Sequence, residues 1–251
     1  MLFSNVYLDT FGYELAPNVV TSEDIEERLA PLYEAIHIQK GQLEFITGIR
    51  ERRFWDPGFK MSQGAIMAGE KAIEASGIDP DQIGMLIYGG VCRDNLEPAT
   101  ACAVADGLKL GRHAQIFDIS NACLGVLNGM IQVGNAIELG QIRAGLVVSC
   151  ESARQIVDDT IQKLRKSRDM ELFKKSIATL TGGSGSVAVL LTDKSLSRGN
   201  QRLTGGIVKN AVEHHELCRW GPDMGIPSNT SQVMETDSVG VLKNGVALGI
   251  E

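Results

Sequence analysis

The chain has 251 residues, 43% hydrophobic and only 5% aromatic, with 28 glycines and no long polar run. That is enough for a sizeable core and is the wrong composition for disorder. A formal net charge of -7 argues against a nucleic-acid partner, which needs a basic face to meet phosphates.

No stretch reaches the roughly 18 consecutive apolar residues of a membrane span. Residues 1–7 lack the basic and apolar regions of a signal peptide. The cysteines are Cys92, Cys102, Cys123, Cys150 and Cys218, an odd number with no two close together. Neither a disulfide framework nor a CxxC metal site fits this pattern. They read as reduced thiols of a cytoplasmic protein with no metal.

In chain order, Thr21-Ser22-Glu23-Asp24 looks like a helix start, with a hydroxyl cap and acids in the first turn. That helix is expected to reach Leu29 and, past Pro31, Ile36. A second helix is predicted over residues 62–76, ended by Gly77. The apolar run at residues 85–88 lies between glycines and reads as a buried strand.

Small residues from Thr100 to Leu108 suggest a helix. Residues 116–119 are the next strand, Asn121 to Leu139 a long helix stopped by Gly140, and residues 146–149 a further strand. This alternation predicts an α/β protein with a mostly parallel sheet covered by helices. Residues 155–180 are charged and helical, with a basic centre at residues 163–168. A Gly-rich turn at residues 181–186 leads into a strand at 187–191. Another strand is expected near residues 203–208, a polar loop over 213–237, and the opening of a helix over 241–251.

Chemistry concentrates at Asn121-Ala122-Cys123-Leu124-Gly125. A strand ends there and a helix apolar nearly all round begins, so the helix is expected in the domain's middle. A thiol in such a helix's first turn meets free N–H groups and the positive end of the helix dipole. These favour the thiolate and make it a good acyl acceptor. The alternative is a small apolar filler, since cysteine is among the most buried residue types.

This motif, with Asp118 on the preceding strand, resembles the nucleophile motif of the ketoacyl-ACP synthase III family within the thiolase superfamily. Thr47-Gly48-Ile49-Arg50-Glu51-Arg52 is similar to that family's N-terminal signature, and Gly183-Ser184-Gly185-Ser186-Val187-Ala188 to its turn before a core strand. The resemblance spans essentially the whole chain. It implies a layered α-β-α-β-α fold of two similar halves. Residues 1–195 would form the first half, with a helical insertion near 152–180, and residues 196–251 the start of a truncated second half. It also implies a Claisen-type condensation in two steps. Cys123 takes an acyl group from CoA or an acyl carrier protein, and a carbanion from a second thioester then attacks it, with the Cys123 N–H in an oxyanion hole.

Glu97, in Arg93-Asp94-Asn95-Leu96-Glu97-Pro98, resembles the acid of head-to-head condensing enzymes of long-chain olefin synthesis. The resemblance makes it the base that deprotonates the second acyl-CoA in a neighbouring subunit's site, hence a homodimer. The other reading is a solvated loop acid, with malonyl-ACP supplying the carbanion. Cys218-Arg219 is similar to the same branch, more weakly.

Ile46 stands where the initiating enzymes carry a CoA-binding Arg. Arg50, Arg52 and Trp55 are then the candidates for phosphate or adenine, against a solvated edge with one packed aromatic. No permanently bound cofactor is implied. The family's second-half His and Asn have no counterpart here. His37, His113, His214 and His215 match no motif. A missing second half would leave an apolar face open, and the runner-up function is an acyl-binding or dimerisation module.

Overall fold

A computed structural model describes residues 1–222 and 232–250. In chain order its elements are β1 (Tyr7–Leu15), β2 (Asn18–Thr21), α1 (Ser22–Arg28), α2 (Ala30–Ala35), α3 (Gln42–Thr47), β3 (Glu51–Phe54), α4 (Met61–Ser76), β4 (Ile83–Gly89) and α5 (Thr100–Gly107). Then come β5 (Gln115–Ile119), α6 (Gly125–Glu138), β6 (Ala144–Glu151), α7 (Arg154–Ser167), α8 (Met170–Leu180), β7 (Gly185–Thr192), β8 (Cys218–Pro222), β9 (Gln232–Thr236) and α9 (Ser238–Ile250). These form two compact units whose segments interleave along the chain. The first is Met1–Ala16, Trp55–Ser152 and Gly185–Ile207; the second is Pro17–Phe54, Ala153–Ser184 and Val208–Glu251.

The first unit is built on a five-stranded sheet of order β1-β7-β6-β4-β5. β4 runs parallel to both neighbours, with Ile87 opposite Phe117 on β5 and Val147 on β6. β7 is antiparallel to β6 and to β1. The sheet is therefore mixed, where the sequence pattern suggested mostly parallel. The cause is the connection from β6 to β7. It runs through α7 and α8, which belong to the second unit, so the first unit has no crossover helix of its own between β6 and β7, and a parallel return needs a crossover.

Alternation along the strands sorts the core. Leu86, Tyr88, Leu146, Val148, Ala188 and Leu190 pack with Ala65, Ala68, Ala72, Val104 and Ala105 of α4 and α5. Met85, Ile87, Val147, Val189 and Leu191 face the other way and pack with Val133, Ala136 and Ile137 of α6 and with Phe3 and Val6. Each fully buried Leu or Ile contributes about 1.5–3 kcal/mol relative to exposure. α6 thus lies on one face of the sheet, with its first turn at the ends of β4 and β5. At β1 and its neighbour β7 the sheet shows Phe11, Tyr13, Leu15 and Val187 to solvent.

In the second unit, α1, α2, α3, α7 and α8 pack around Ile25, Leu29, Leu32, Leu43, Phe54, Ile161 and Phe173. Thr21 caps α1 in a reciprocal box with Asp24, as its sequence implied. β2 and β3 form an antiparallel pair, as do β8 and β9. The stretch read as a loop over 213–237 thus holds most of a short 3-10 segment at Val212–Leu217, kinked at His214, and two strands; residues 223–231 of it lie outside the described residues. No strand forms at 203–208, where only isolated bridges at Arg202 and Gly205 occur. Leu203 packs against the core, but the adjacent Gly205 and Gly206 weaken the segment as a strand.

Candidate active site

Cys123 sits in a single 3-10 turn, Ala122–Leu124, between the end of β5 and the start of α6. The predicted long helix therefore begins with a tighter turn. Asn121 has φ -147° and ψ 46°, and Ala122 is held at φ 44°. A left-handed alanine costs about 1–2 kcal/mol, and such strained positions cluster where a side chain must be presented.

Two contacts hold the turn. The Asn121 side chain donates Nδ2–H to Oδ1 of Asn128, 2.5 Å away on α6. Below it, Gly125 meets Gly89 at the end of β4 so closely that a Cβ on Gly125 would lie 2.9 Å from the Gly89 carbonyl carbon. Only glycine permits this approach. The outcome is an exposed Cys123 at the amino end of α6, beside exposed Leu124 and Leu127. N–H groups at a helix start have no partner within the helix, so they remain able to receive an oxyanion.

The other thiols differ. Burial, followed by the charge of Glu151, pushes the Cys150 thiol up to about 12 and raises that of Cys92 as well. Both are held protonated and are poor nucleophiles. Cys102 and Cys218 are exposed. Cys102 lies within α5 and Cys218 opens β8, where its sulfur is 3.5 Å from Thr236 Oγ1. Cys102 also stands in the first turn of its helix, with its N–H bonded to the Ala99 carbonyl, but neither thiol has a left-handed residue before it as Cys123 has in Ala122.

Glu97 lies on the loop between β4 and α5, in an exposed tip at residues 95–98, and its peptide bond to Pro98 is cis. Both ends of that loop are gripped by carboxylates. Glu151, the last residue of β6, accepts the N–H groups of Val91 and Cys92 at 2.6 and 3.1 Å. Asp118 on β5 accepts those of Thr100 and Ala101 at 3.0 and 2.9 Å.

Of the three proposed CoA contacts, Arg50 alone is exposed. Arg52 and Trp55 require correction. Arg52 is 5% exposed; its guanidinium donates to Ser22 Oγ at 2.9 Å and to the Val20 carbonyl at 3.3 Å. Trp55 is 2% exposed, stacks on Phe59 at 4.3 Å and donates its indole N–H to the Glu151 carbonyl. Side chains so enclosed have no face to offer a phosphate or an adenine. His214 and His215 are exposed beside Glu213 and Glu216. Among the described residues no cluster of metal-binding side chains occurs.

The profile of 3-oxoacyl-[acyl-carrier-protein] synthase III matches residues 117–204, which include the Cys123 turn. An acyl-CoA:acyl-CoA alkyltransferase of Shewanella oneidensis is 51% identical over 251 residues, covering 99% of this chain and 72% of that protein. The chain belongs to this alkyltransferase family. It is an acyl-thioester condensing enzyme of the ketoacyl synthase III type.

Solved structures agree. A glutamate-to-glutamine variant of Xanthomonas campestris OleA superposes with a TM-score of 0.90 at 34% identity, over 99% of this chain and 70% of that one. A cysteine-to-serine variant of the same protein, with bound lauric acid and lauroyl-CoA, gives 0.89 at 34% identity over 98% and 71%. The thiolase-like α/β fold and the branch expected from sequence are both those of these relatives.

Proposed function

We propose that this protein joins two fatty acyl-CoA molecules head to head in long-chain hydrocarbon biosynthesis; in support, its relatives bear the name acyl-CoA:acyl-CoA alkyltransferase. The Cys123 thiolate attacks the carbonyl of the first acyl-CoA, and CoA leaves as its thiol, giving an acyl-enzyme thioester. Glu97 of a second copy removes an α-proton from the second acyl-CoA. The resulting enolate carbon attacks the acyl-enzyme carbonyl, the Cys123 sulfur leaves, and a 2-alkyl-3-ketoacyl-CoA is released. No resident cofactor takes part.

The observation that carries this reading is the exposed sulfur of Cys123 on a strained turn at the start of α6. Supporting it, the substituted glutamate and cysteine of the Xanthomonas variants stand as far apart in their sequence as Glu97 and Cys123 do here. Leu124 and Leu127 offer apolar surface for an acyl chain beside the sulfur, and Arg50 is the remaining candidate for the CoA phosphates. The protein is proposed to act as a cytoplasmic homodimer. In support, its cysteines are free and, among the described residues, no helix is long and apolar enough to cross a membrane.

The test is the second substrate. Incubated with myristoyl-CoA alone, the intact protein should release CoA and form a β-keto product. Glu97→Gln should lower that rate by about 10²–10⁴-fold, the usual contribution of a positioned base. Product formed only when malonyl-ACP is supplied would overturn the reading.

A further inference from the structure

We infer that Asp118 and Glu151 are positioning residues for the condensation step. They are two carboxylates on the strands either side of β4, and they pin the two ends of the β4–α5 loop, so fixing where Glu97 is presented. The inference rests on the reading of Glu97 as the base.

The geometry is directional. β4 lies between β5 and β6 in the sheet, and the loop leaves from its end. Glu151, at the end of β6, takes the loop's first two N–H groups with separate oxygens: Oε1 accepts from Val91 and Oε2 from Cys92. Asp118, on β5, takes the N–H groups where the loop becomes α5, again with one oxygen each. Its side chain is 6% exposed, and Arg93 from the loop approaches it at 3.8 Å. Inside these anchors, Asp94 accepts the Ser62 N–H at 3.2 Å, and the Tyr88 hydroxyl donates to the Cys92 carbonyl at 2.6 Å. What remains is the short exposed tip at residues 95–98, with Glu97 on it.

A base works only from a defined place, and an error of about 1 Å can cost a hundredfold in rate. An exposed acid on an untethered loop would not hold such a place. Four backbone N–H groups bound by two carboxylates do hold one. Asp118 adds a second link, because β5 runs directly into the Cys123 turn. The strand that delivers the nucleophile is thus the one that grips the base-bearing loop. The need for carboxylates follows too. In each pair both oxygens face an N–H donor, so an amide would set its own NH2 against one of them.

The test uses Glu151→Gln in the intact protein and measures two half-reactions separately. Acylation of Cys123 by myristoyl-CoA should stay within about threefold of the unsubstituted protein. Condensation should fall roughly tenfold to a hundredfold, the scale of a misplaced base. The kinetic isotope effect with α-deuterated myristoyl-CoA should rise, because proton removal becomes the slower step. Asp118→Asn should lower condensation in the same way. Unchanged condensation in both variants would overturn the inference. So would a parallel fall of acylation and condensation with no change in isotope effect, since that assigns the clamp to the fold alone. Failure of the unsubstituted protein to condense two acyl-CoAs would count instead against the reading of Glu97.

Discussion

Of the stretches with family-like signatures, residues 46–55 and residues 117–129 are treated by the structure in opposite ways. Around Cys123, neighbouring groups constrain the backbone and leave the sulfur open: an asparagine pair above and two touching glycines below. Around Arg52, several of the motif's side chains are tied into the structure, while Arg50 and Glu51 stay exposed. Ser22 and Val20 take the guanidinium, Thr47 Oγ1 donates back to the Leu43 carbonyl, and Gly48 closes α3 at φ 69°. The first stretch presents a reactive group; the second is mainly architecture. Spacing in sequence identifies both as signatures, and only burial and hydrogen-bond partners separate their roles.

Substitutions can break or sharpen this contrast. The largest effect is expected for Gly125→Ala. Its Cβ has no room against the Gly89 backbone, so the turn must shift and acylation of Cys123 should fall about a hundredfold. Rapid-quench acylation rates check this, and a rate near that of the unsubstituted protein would show that the glycine contact does not set the turn.

Arg52→Ala should act on stability. It removes buried charge-assisted hydrogen bonds and should cost about 2–3 kcal/mol in denaturant unfolding, with KM for acyl-CoA unchanged. A raised KM at unchanged stability would return Arg52 to the binding site. The smallest effect is expected for Arg50→Ala, which should raise KM for acyl-CoA about two- to fivefold, the scale of one exposed ion pair. A KM that does not move would remove the last of the three proposed CoA contacts.

Much of the first unit was legible in sequence because its signals are local. The apolar runs that became β4, β5, β6 and β7 lie close to their predicted places, and in the second unit Thr21 forms the predicted hydroxyl cap of α1. The missed features depend on distant partners. β1 carries Gly12 and acids at Asp9 and Glu14, so its pattern is weak, and its pairing with β7 joins the two ends of the unit. Glu151 looks like an ordinary surface acid, and Asp118, which interrupts the strand Gln115–Ile119, reads only as a companion of the nucleophile motif; neither pattern shows the N–H groups they hold. Glu26 is similar. It is 2% exposed and holds the N–H groups of Gly41 and Leu43, which nothing local in α1 predicts.

The central claim is tested most directly by locating the acyl group. After brief incubation with myristoyl-CoA and rapid denaturation, peptide mass spectrometry should find a hydroxylamine-labile myristoyl thioester on the peptide containing Cys123. Cys92 and Cys150 should be bare, and the adduct should be absent from Cys123→Ala. An adduct on Cys102 or Cys218, or one that survives Cys123→Ala, would contradict the account.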